Sequence, residues 1–370
     1  MTLEDFRDPG RVRVLLGAIR QEAEPLAQRL GRPLQIMEVC GGHTHAIFRF
    51  GLDQLLPKSI EFIHGPGCPV CVLPVAAVDQ ALALAERGLV LASFGDPMRV
   101  PGTHMSLLEA KAKGMDVRIL YSPLDALALA RKEPGRQFVF FSIGFDTTMP
   151  AAACSLLAAA REGLGNLRFL CHHIRLMPTL EALLTAGELR LDGFVGPGHV
   201  ATVIGAGAFA PVAARHGKPL VIAGFEPVDF LQALYQLLLQ LKEGRCAIEN
   251  AYGRVVSEAG NLAAQAAIAQ AFEEGVDAEW RGLGLVPGSG VRVREAFRDW
   301  DAAPLLAFDT LPQRRPEPCQ CSQVLIGRLK PNQCPHFGKG CSPQHPLGAL
   351  MVSTEGACAA YHQYKEAIHG

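Results

Sequence analysis

Short apolar runs that stop at a glycine or a polar residue recur along the first third of this chain, with stretches of helical spacing between them. Strands are predicted at 34–39, 60–63, 89–93 and 117–120, and helices at 11–31, 74–87, 104–113 and 124–132. In the first helix Val12, Leu15, Leu16, Ile19 and Leu26 fall near one face, and Gly31 supplies the stop. Such alternation reads as βαβ units, so the expected fold is α/β with largely parallel sheets. In open sheets of this kind the loops at strand C-termini carry the chemistry.

At 370 residues the chain exceeds one ordinary core, and its second half repeats pieces of the first. Gly65-Pro66-Gly67 recurs as Gly196-Pro197-Gly198. Leu89–Phe94 recurs as Leu220–Phe225, and Cys40 falls on Cys171, all at an offset of 131. The expectation is two similar α/β domains, 1–130 and 131–235, facing a central cleft. A helical and irregular third domain is expected over 236–370. Residues 231–280, rich in Ala, Leu and Gln, are predicted helical, and Pro287-Gly288-Ser289-Gly290 is predicted to be a turn. From Thr310 the composition shifts to Pro, Cys and Gly, a segment with too little core of its own that calls for a metal staple.

Lys plus Arg (35) balance Asp plus Glu (36), and the aromatic share is 7%. This argues against a general nucleic-acid or membrane-surface binder. No apolar run approaches the roughly 20 residues of a membrane span. The polar Met1–Phe6 start does not read as a signal peptide, so a cytoplasmic protein is expected. Nucleotide fingerprints of the G-x-G-x-x-G and P-loop types are absent.

Eleven cysteines in a reducing compartment point to metal or redox chemistry. Three lie between Glu38 and Cys71, in Glu38-Val39-Cys40-Gly41-Gly42-His43-Thr44-His45 and His64-Gly65-Pro66-Gly67-Cys68-Pro69-Val70-Cys71. If Cys40 ends a strand and opens a helix, the following N–H groups favour its thiolate, while Gly41 and Gly42 let backbone approach and leave room for ligands. His43 and His45 are candidates for donating hydrogen bonds or moving protons. Cys68-Pro69-Val70-Cys71 has the Cys-x-x-Cys spacing of a redox pair, with half of a zinc knuckle as the other reading.

The last cysteines are Cys319, Cys321, Cys334, Cys341 and Cys358. Four thiolates suit an Fe–S cluster and structural zinc alike. Paired knuckles are missing, and wide spacing among Pro335, Gly338, Gly340 and Pro343 favours a [4Fe–4S] cluster, with Cys319 as a spare ligand. Cys154 and Cys246, on Ala- and Leu-rich stretches, are expected to be small core residues.

Taken together, these residues resemble one family, the hydrogenase maturation factor HypD family, which helps assemble the Fe(CN)2CO unit of [NiFe]-hydrogenases. Beyond the motifs above, the resemblance rests on Phe94-Gly95-Asp96-Pro97-Met98-Arg99-Val100-Pro101-Gly102, Gly144-Phe145-Asp146-Thr147-Thr148 and Ser353–Tyr361, and it covers nearly the whole chain. The resemblance implies that Cys40 helps hold the iron carrying the diatomic ligands and that Cys68 and Cys71 are a redox pair. It implies a [4Fe–4S] site at Cys321, Cys334, Cys341 and Cys358, in a third domain beside two related α/β domains. The implied partners are a small HypC-type chaperone, which offers a second cysteine to the iron, and a HypE-type cyanide donor. Asp146 stands where the family more often has Glu.

An iron carrying cyanide and carbon monoxide needs soft donors, and thiolate is the soft ligand proteins possess. The expected function is therefore an iron–sulfur scaffold for the Fe(CN)2CO precursor with a dithiol electron relay, more than a turnover enzyme, and a monomer before its partners bind. The alternative is a cluster-dependent dithiol oxidoreductase acting on a small substrate. Asp96, Arg99, Thr103, His104, Thr147, Thr148 and His199 are further cleft candidates.

Overall fold

The computed structural model describes residues 3–186, 190–306 and 319–365. Residues 307–318, where the change of composition begins, lie outside the described residues. The first helix, Pro9–Leu30, is capped by the Asp8 side chain and stopped by Gly31 at φ 67°, a left-handed conformation that glycine adopts without strain. Eleven strands are described: β1 (Leu34–Glu38), β2 (Ile60–His64), β3 (Val90–Ser93), β4 (Val117–Ile119), β5 (Phe138–Gly144), β6 (Leu167–His173), β7 (Gly193–Pro197), β8 (Leu220–Ala223), β9 (Ile248–Asn250), β10 (Phe272–Trp280) and β11 (Gly284–Val293).

The fold is α/β with two parallel sheets. One has the order β2-β1-β7-β8-β9 and the other β4-β3-β5-β6. In each, the first strand to enter lies between the second and the third, and the fourth follows the third. The two sheets thus share one winding pattern.

The sheets do not follow the boundaries expected at 130 and 235. The first two strands pair with strands that arrive after residue 190, and the whole second sheet is made by the chain between them. The repeat offset of 131 is corrected accordingly. It aligns β3, the first strand of its sheet, with β8, the fourth of the other, so the matched runs are not equivalent in the fold. Apolar strand ends look alike wherever a parallel sheet buries both faces.

Past β9 the expectation of continuous helix also fails. Helices cover Pro227–Glu243 and Leu262–Ala271, but Phe272–Trp280 is a strand paired antiparallel with β11. Its Val276, Ala278 and Trp280 alternate with charged residues, the period of a half-buried strand. Pro287-Gly288-Ser289-Gly290 lies within β11, where the register shifts between Val276 and Ala278 and Gly288 takes φ 66°. It is a bulge instead of a chain reversal.

The tail is not a separate island. One buried cluster joins Val139, Phe141 and Ile143 of β5 to Cys68, Val70 and Cys71, and to Cys321, Cys341, Leu350 and Cys358. The core that the tail lacks in its own sequence is supplied by the second sheet. Among the described residues no helix is long and apolar enough to cross a membrane.

Candidate functional site

β1 ends at Glu38, and Cys40 takes the N-cap position of the helix Gly41–Arg49. The Glu38 carboxylate is fully buried and answers three donors. The Cys40 N–H donates to Oε2 at 3.1 Å, while His64 Nδ1 lies 2.8 Å from Oε1, which also accepts from the Thr44 hydroxyl. A buried carboxylate needs such partners, and here they fasten the Cys40 turn to the end of β2.

Both glycines after Cys40 are required by contact. A Cβ on Gly41 would stand 2.5 Å from Glu355 Cβ, and one on Gly42 would stand 2.8 Å from the Phe225 ring. The space expected for ligands over these glycines is therefore filled by Glu355 and Phe225. Cys40 Sγ lies 3.9 Å from Nδ1 of His199, whose ring stacks on Phe225 at 3.9 Å between centroids. His199 sits in the first turn of the helix Gly198–Ile204, directly after β7.

Burial pushes the Cys40 thiol up, with the Glu355 and Glu38 carboxylates adding to the effect. The N–H groups of Gly42 and His43 pull the other way and do not prevail. The expected thiolate-favouring helix start is thus outweighed by desolvation and two nearby carboxylates. A bound cation would invert that balance.

His43 is fully buried, with Nε2 3.2 Å from the Ala223 carbonyl and 3.1 Å from that of Gly224. Its ring stacks on Phe225, and burial lowers its pKa to about 4. The imidazole therefore ties its helix to the end of β8 through Nε2. Its Nδ1 is buried without a partner. His45 packs edge-on against Tyr364.

The dithiol loop is laced to the Cys40 turn. Gly65 N–H donates to the Glu38 carbonyl at 2.9 Å, and Gly41 N–H to the Gly67 carbonyl at 3.0 Å. Cys68 and Cys71 are free thiols, both buried, and the Cys71 N–H donates to Cys68 Sγ at 3.4 Å. Burial pushes the Cys71 thiol up, with Cys68, Cys321 and Glu355 contributing. Residues 355 and 356 join the two thiol sites: Glu355 covers Gly41, and a Cβ on Gly356 would stand 3.0 Å from Cys71 Sγ.

In the tail, Cys321 opens the helix Cys321–Leu325 and Cys358 lies in Ala357–Lys365. Cys319 Sγ and Cys321 Sγ are 2.8 Å apart, and the Cys321 thiol also hydrogen-bonds Cys358. Leu347 N–H points at Cys341 Sγ from 3.4 Å, and Gly348 N–H assists. A Cβ on Gly348 would stand 2.2 Å from Cys319 Sγ and 2.7 Å from Cys321 Sγ, so only bare backbone fits against these sulfurs. Among the described residues no three His, Cys, Asp or Glu side chains form a ready-made ion site. The donor chemistry nevertheless suits an iron–sulfur cluster: thiols from separate segments, with backbone N–H groups directed at sulfur. Cys319, the spare of the sequence reading, lies directly against Cys321.

The other candidates divide. Arg99 Nη2 donates to the Val352 carbonyl at 2.7 Å and lies 3.9 Å from Asp96, so it anchors the tail. Thr103 is bound to Asp79, and His104 lines a separate groove with His345. Asp146 is buried and accepts from Leu176 N–H at 3.0 Å, a structural contact. Thr147 lies in the turn before the helix Met149–Glu162, and Thr148 takes its N-cap position without a side-chain cap. Cys154 and Cys246 are exposed, not core residues, because one faces outward on its helix and the other lies in the short connection between Gly244 and β9. Sequence reasoning assigned no role to Glu38 or Glu355. A carboxylate closing an apolar strand was the available signal for the first.

The chain is an α/β protein with two parallel sheets that gathers buried thiols at its strand ends and receives a cysteine-rich tail on the same core. Residues 11–365 match the HypD family model, described as "Hydrogenase formation hypA family". The chain is 52% identical over 365 residues to "Hydrogenase maturation factor HypD" of Rhodobacter capsulatus, covering 97% of each. It is 50% identical over 367 residues to the protein of that name in Escherichia coli strain K12, covering 98% of each. To that of Azotobacter vinelandii it is 48% identical over 369 residues, covering 98% of this chain and 96% of the relative. The chain belongs to the HypD family of hydrogenase maturation factors.

Proposed function

We propose that this protein is an iron–sulfur scaffold that holds the Fe(CN)2CO precursor of [NiFe]-hydrogenases and supplies it with electrons. The iron unit is cargo, bound through Cys40 with a second thiolate from a small HypC-type chaperone. A HypE-type partner delivers the cyanide groups. The work takes place in the cytoplasm, in a cleft between the two α/β lobes.

A [4Fe–4S] cluster, held by Cys321, Cys334, Cys341 and Cys358, supplies one-electron transfer when bound. Cys68 and Cys71 store electrons in pairs: closing their disulfide releases two electrons and two protons, and reopening it takes them back. His199 lies beside the Cys40 sulfur, and Glu38 holds the Cys40 backbone in place.

One observation carries this reading: the sulfur-bearing segments touch. Gly67 packs on Cys40, Gly356 packs on Cys71, and Cys71 shares a buried cluster with Cys321 and Cys358. The test is infrared spectroscopy on anaerobic protein with its small partner. Metal-bound CO and CN⁻ bands are expected in the parent and absent in Cys40→Ala, with cluster absorbance near 400 nm retained in both. Bands that survive the substitution would remove Cys40 from the iron site.

A further inference from the structure

The hairpin of β10 and β11 carries no thiol, yet its tip reaches the dithiol loop. Residues 281–283 form the connection, with the Leu283 N–H donating to the Trp280 carbonyl at 3.1 Å and Gly282 at φ 86°. Trp280 seats the tip. Its ring is fully buried, stacks on Phe145 at 5.4 Å between centroids and donates from Nε1 to Ser289 Oγ at 2.8 Å. From this seat the tip meets three segments. The Arg281 N–H donates to the Val72 carbonyl at 2.8 Å. The Arg281 guanidinium donates from Nη1 to the Pro101 carbonyl at 3.2 Å. A Cβ on Gly282 would stand 3.2 Å from Ser322 Cα, beside Cys321.

Arg281 is only 3% exposed. Burying a guanidinium is costly, and its planar fork of donors suits it to joining segments that offer carbonyls. The segments joined here bear on the thiols. Val72 directly follows Cys71, and the Cys71 N–H donates to the Cys68 carbonyl at 3.1 Å, which makes Cys68–Cys71 a β-turn. Such a turn keeps its end Cα atoms within about 7 Å, the span that a disulfide bridges. Pro101 ends the loop after β3, whose Arg99 holds the tail at the Val352 carbonyl. One side chain thus fastens the exit of the dithiol turn to the loop that grips the tail.

We infer that Arg281 is a positioning residue for the Cys68/Cys71 pair, pinning the turn that brings the two thiols within disulfide reach. The inference rests on the dithiol reading of the proposed function. Closure takes one proton from each thiol and two electrons from the pair and forms one Sγ–Sγ bond. With oxidised glutathione as acceptor, its own disulfide breaks and two reduced glutathiones leave. A turn already held in place loses less freedom on closing, so the clamp favours the disulfide. Without it the pair becomes the stronger oxidant.

The test equilibrates the anaerobic holoprotein with mixtures of reduced and oxidised glutathione, then quenches with acid and alkylates. Mass spectrometry reads the disulfide fraction of the peptide that carries Cys68 and Cys71. Arg281→Ala is expected to lower the disulfide-to-dithiol equilibrium constant about tenfold, a rise in potential of about 30 mV. Arg281→Lys keeps the charge but not the fork and should shift the constant the same way by about threefold, which keeps the test open if the alanine variant does not fold. Arg292→Ala, on the exposed face of the same hairpin, should match the parent. A parent that forms no disulfide at any ratio removes the dithiol reading and this inference with it. A parent that does, with constants unchanged in the Arg281 variants or shifted equally in Arg292→Ala, removes the inference alone.

Discussion

The backbone of Gly67 lies on Cys40 so closely that a Cβ at residue 67 would stand 2.3 Å from the Cys40 nitrogen and 2.5 Å from its Cα. Cys40 and the loop that carries Cys68 and Cys71 are thereby held as one unit, since Cys68 follows directly. Gly67→Ala is expected to cost about 1–3 kcal/mol, the usual penalty of overpacking against an unyielding neighbour. The neighbour here is backbone, which cannot rotate away. Urea denaturation of anaerobic protein measures the loss, and a stability unchanged from the parent would mean the two loops are not in contact.

Glu38 answers three donors from three places in the chain, so truncation should be felt well beyond one bond. Glu38→Ala leaves the Cys40 N–H, the Thr44 hydroxyl and the His64 ring without their acceptor. Each stranded buried group costs about 1–3 kcal/mol. Thr44→Val removes one arm and should cost about 1 kcal/mol. Denaturation midpoints of the two variants separate the cases. A Glu38→Ala loss no larger than that of Thr44→Val would deny the carboxylate its central place.

His43 and His199 both stack on Phe225 yet should behave oppositely. His43 is buried and bound to the carbonyls of Ala223 and Gly224, so His43→Ala should destabilise the fold by about 2–3 kcal/mol. His199 is exposed, and His199→Ala should leave stability within about 0.5 kcal/mol. Under the proposed function, only His199→Ala alters the infrared bands of the cargo in protein that remains folded. Equal losses of stability in the two variants would contradict this division.

Thiol labelling should sort the cysteines by environment. Burial pushes the Cys171 thiol up to about 12. At pH 8 its thiolate fraction is then about one part in ten thousand, and it climbs tenfold per pH unit until the pKa is passed. Cys154 and Cys246 are exposed and should be alkylated first. Mass spectrometry of iodoacetamide-treated folded protein from pH 7 to pH 10 should show the Cys171 rate still rising where the exposed thiols level off. Labelling of Cys171 in step with Cys154 would show that its burial is not maintained.

Much of the first 130 residues was legible. Strands expected at 34–39, 60–63, 89–93 and 117–120 and helices at 11–31, 74–87 and 124–132 all appear within about two residues, because apolar period and stop signals act locally. The helix expected at 104–113 is shorter, starting at Leu107, because Ser106 and Glu109 form a capping box there. What stayed hidden was non-local. No local pattern in residues 34–64 reveals that their sheet waits for residues 193–223. The Ala-rich stretch after 260 masked β10, since the helix Leu262–Ala271 runs into the strand with no loop between. In the thiol site the motifs themselves were visible. The residues that crowd Cys40, namely Phe225, His199 and Glu355, come from distant segments, so their contacts with it were not.

The interleaved sheets set a timetable for biosynthesis. β1 leaves the ribosome early but gains its inner neighbour only when β7 has been translated, and the walls around Cys40 are finished by Glu355, near the end of the described chain. A nascent polypeptide therefore exposes Cys40, Cys68 and Cys71 long before it can shelter them. Under the proposed function, delivery of iron awaits release of the finished chain, and the interval before it is when stray oxidants and adventitious metals have their best access to these thiols.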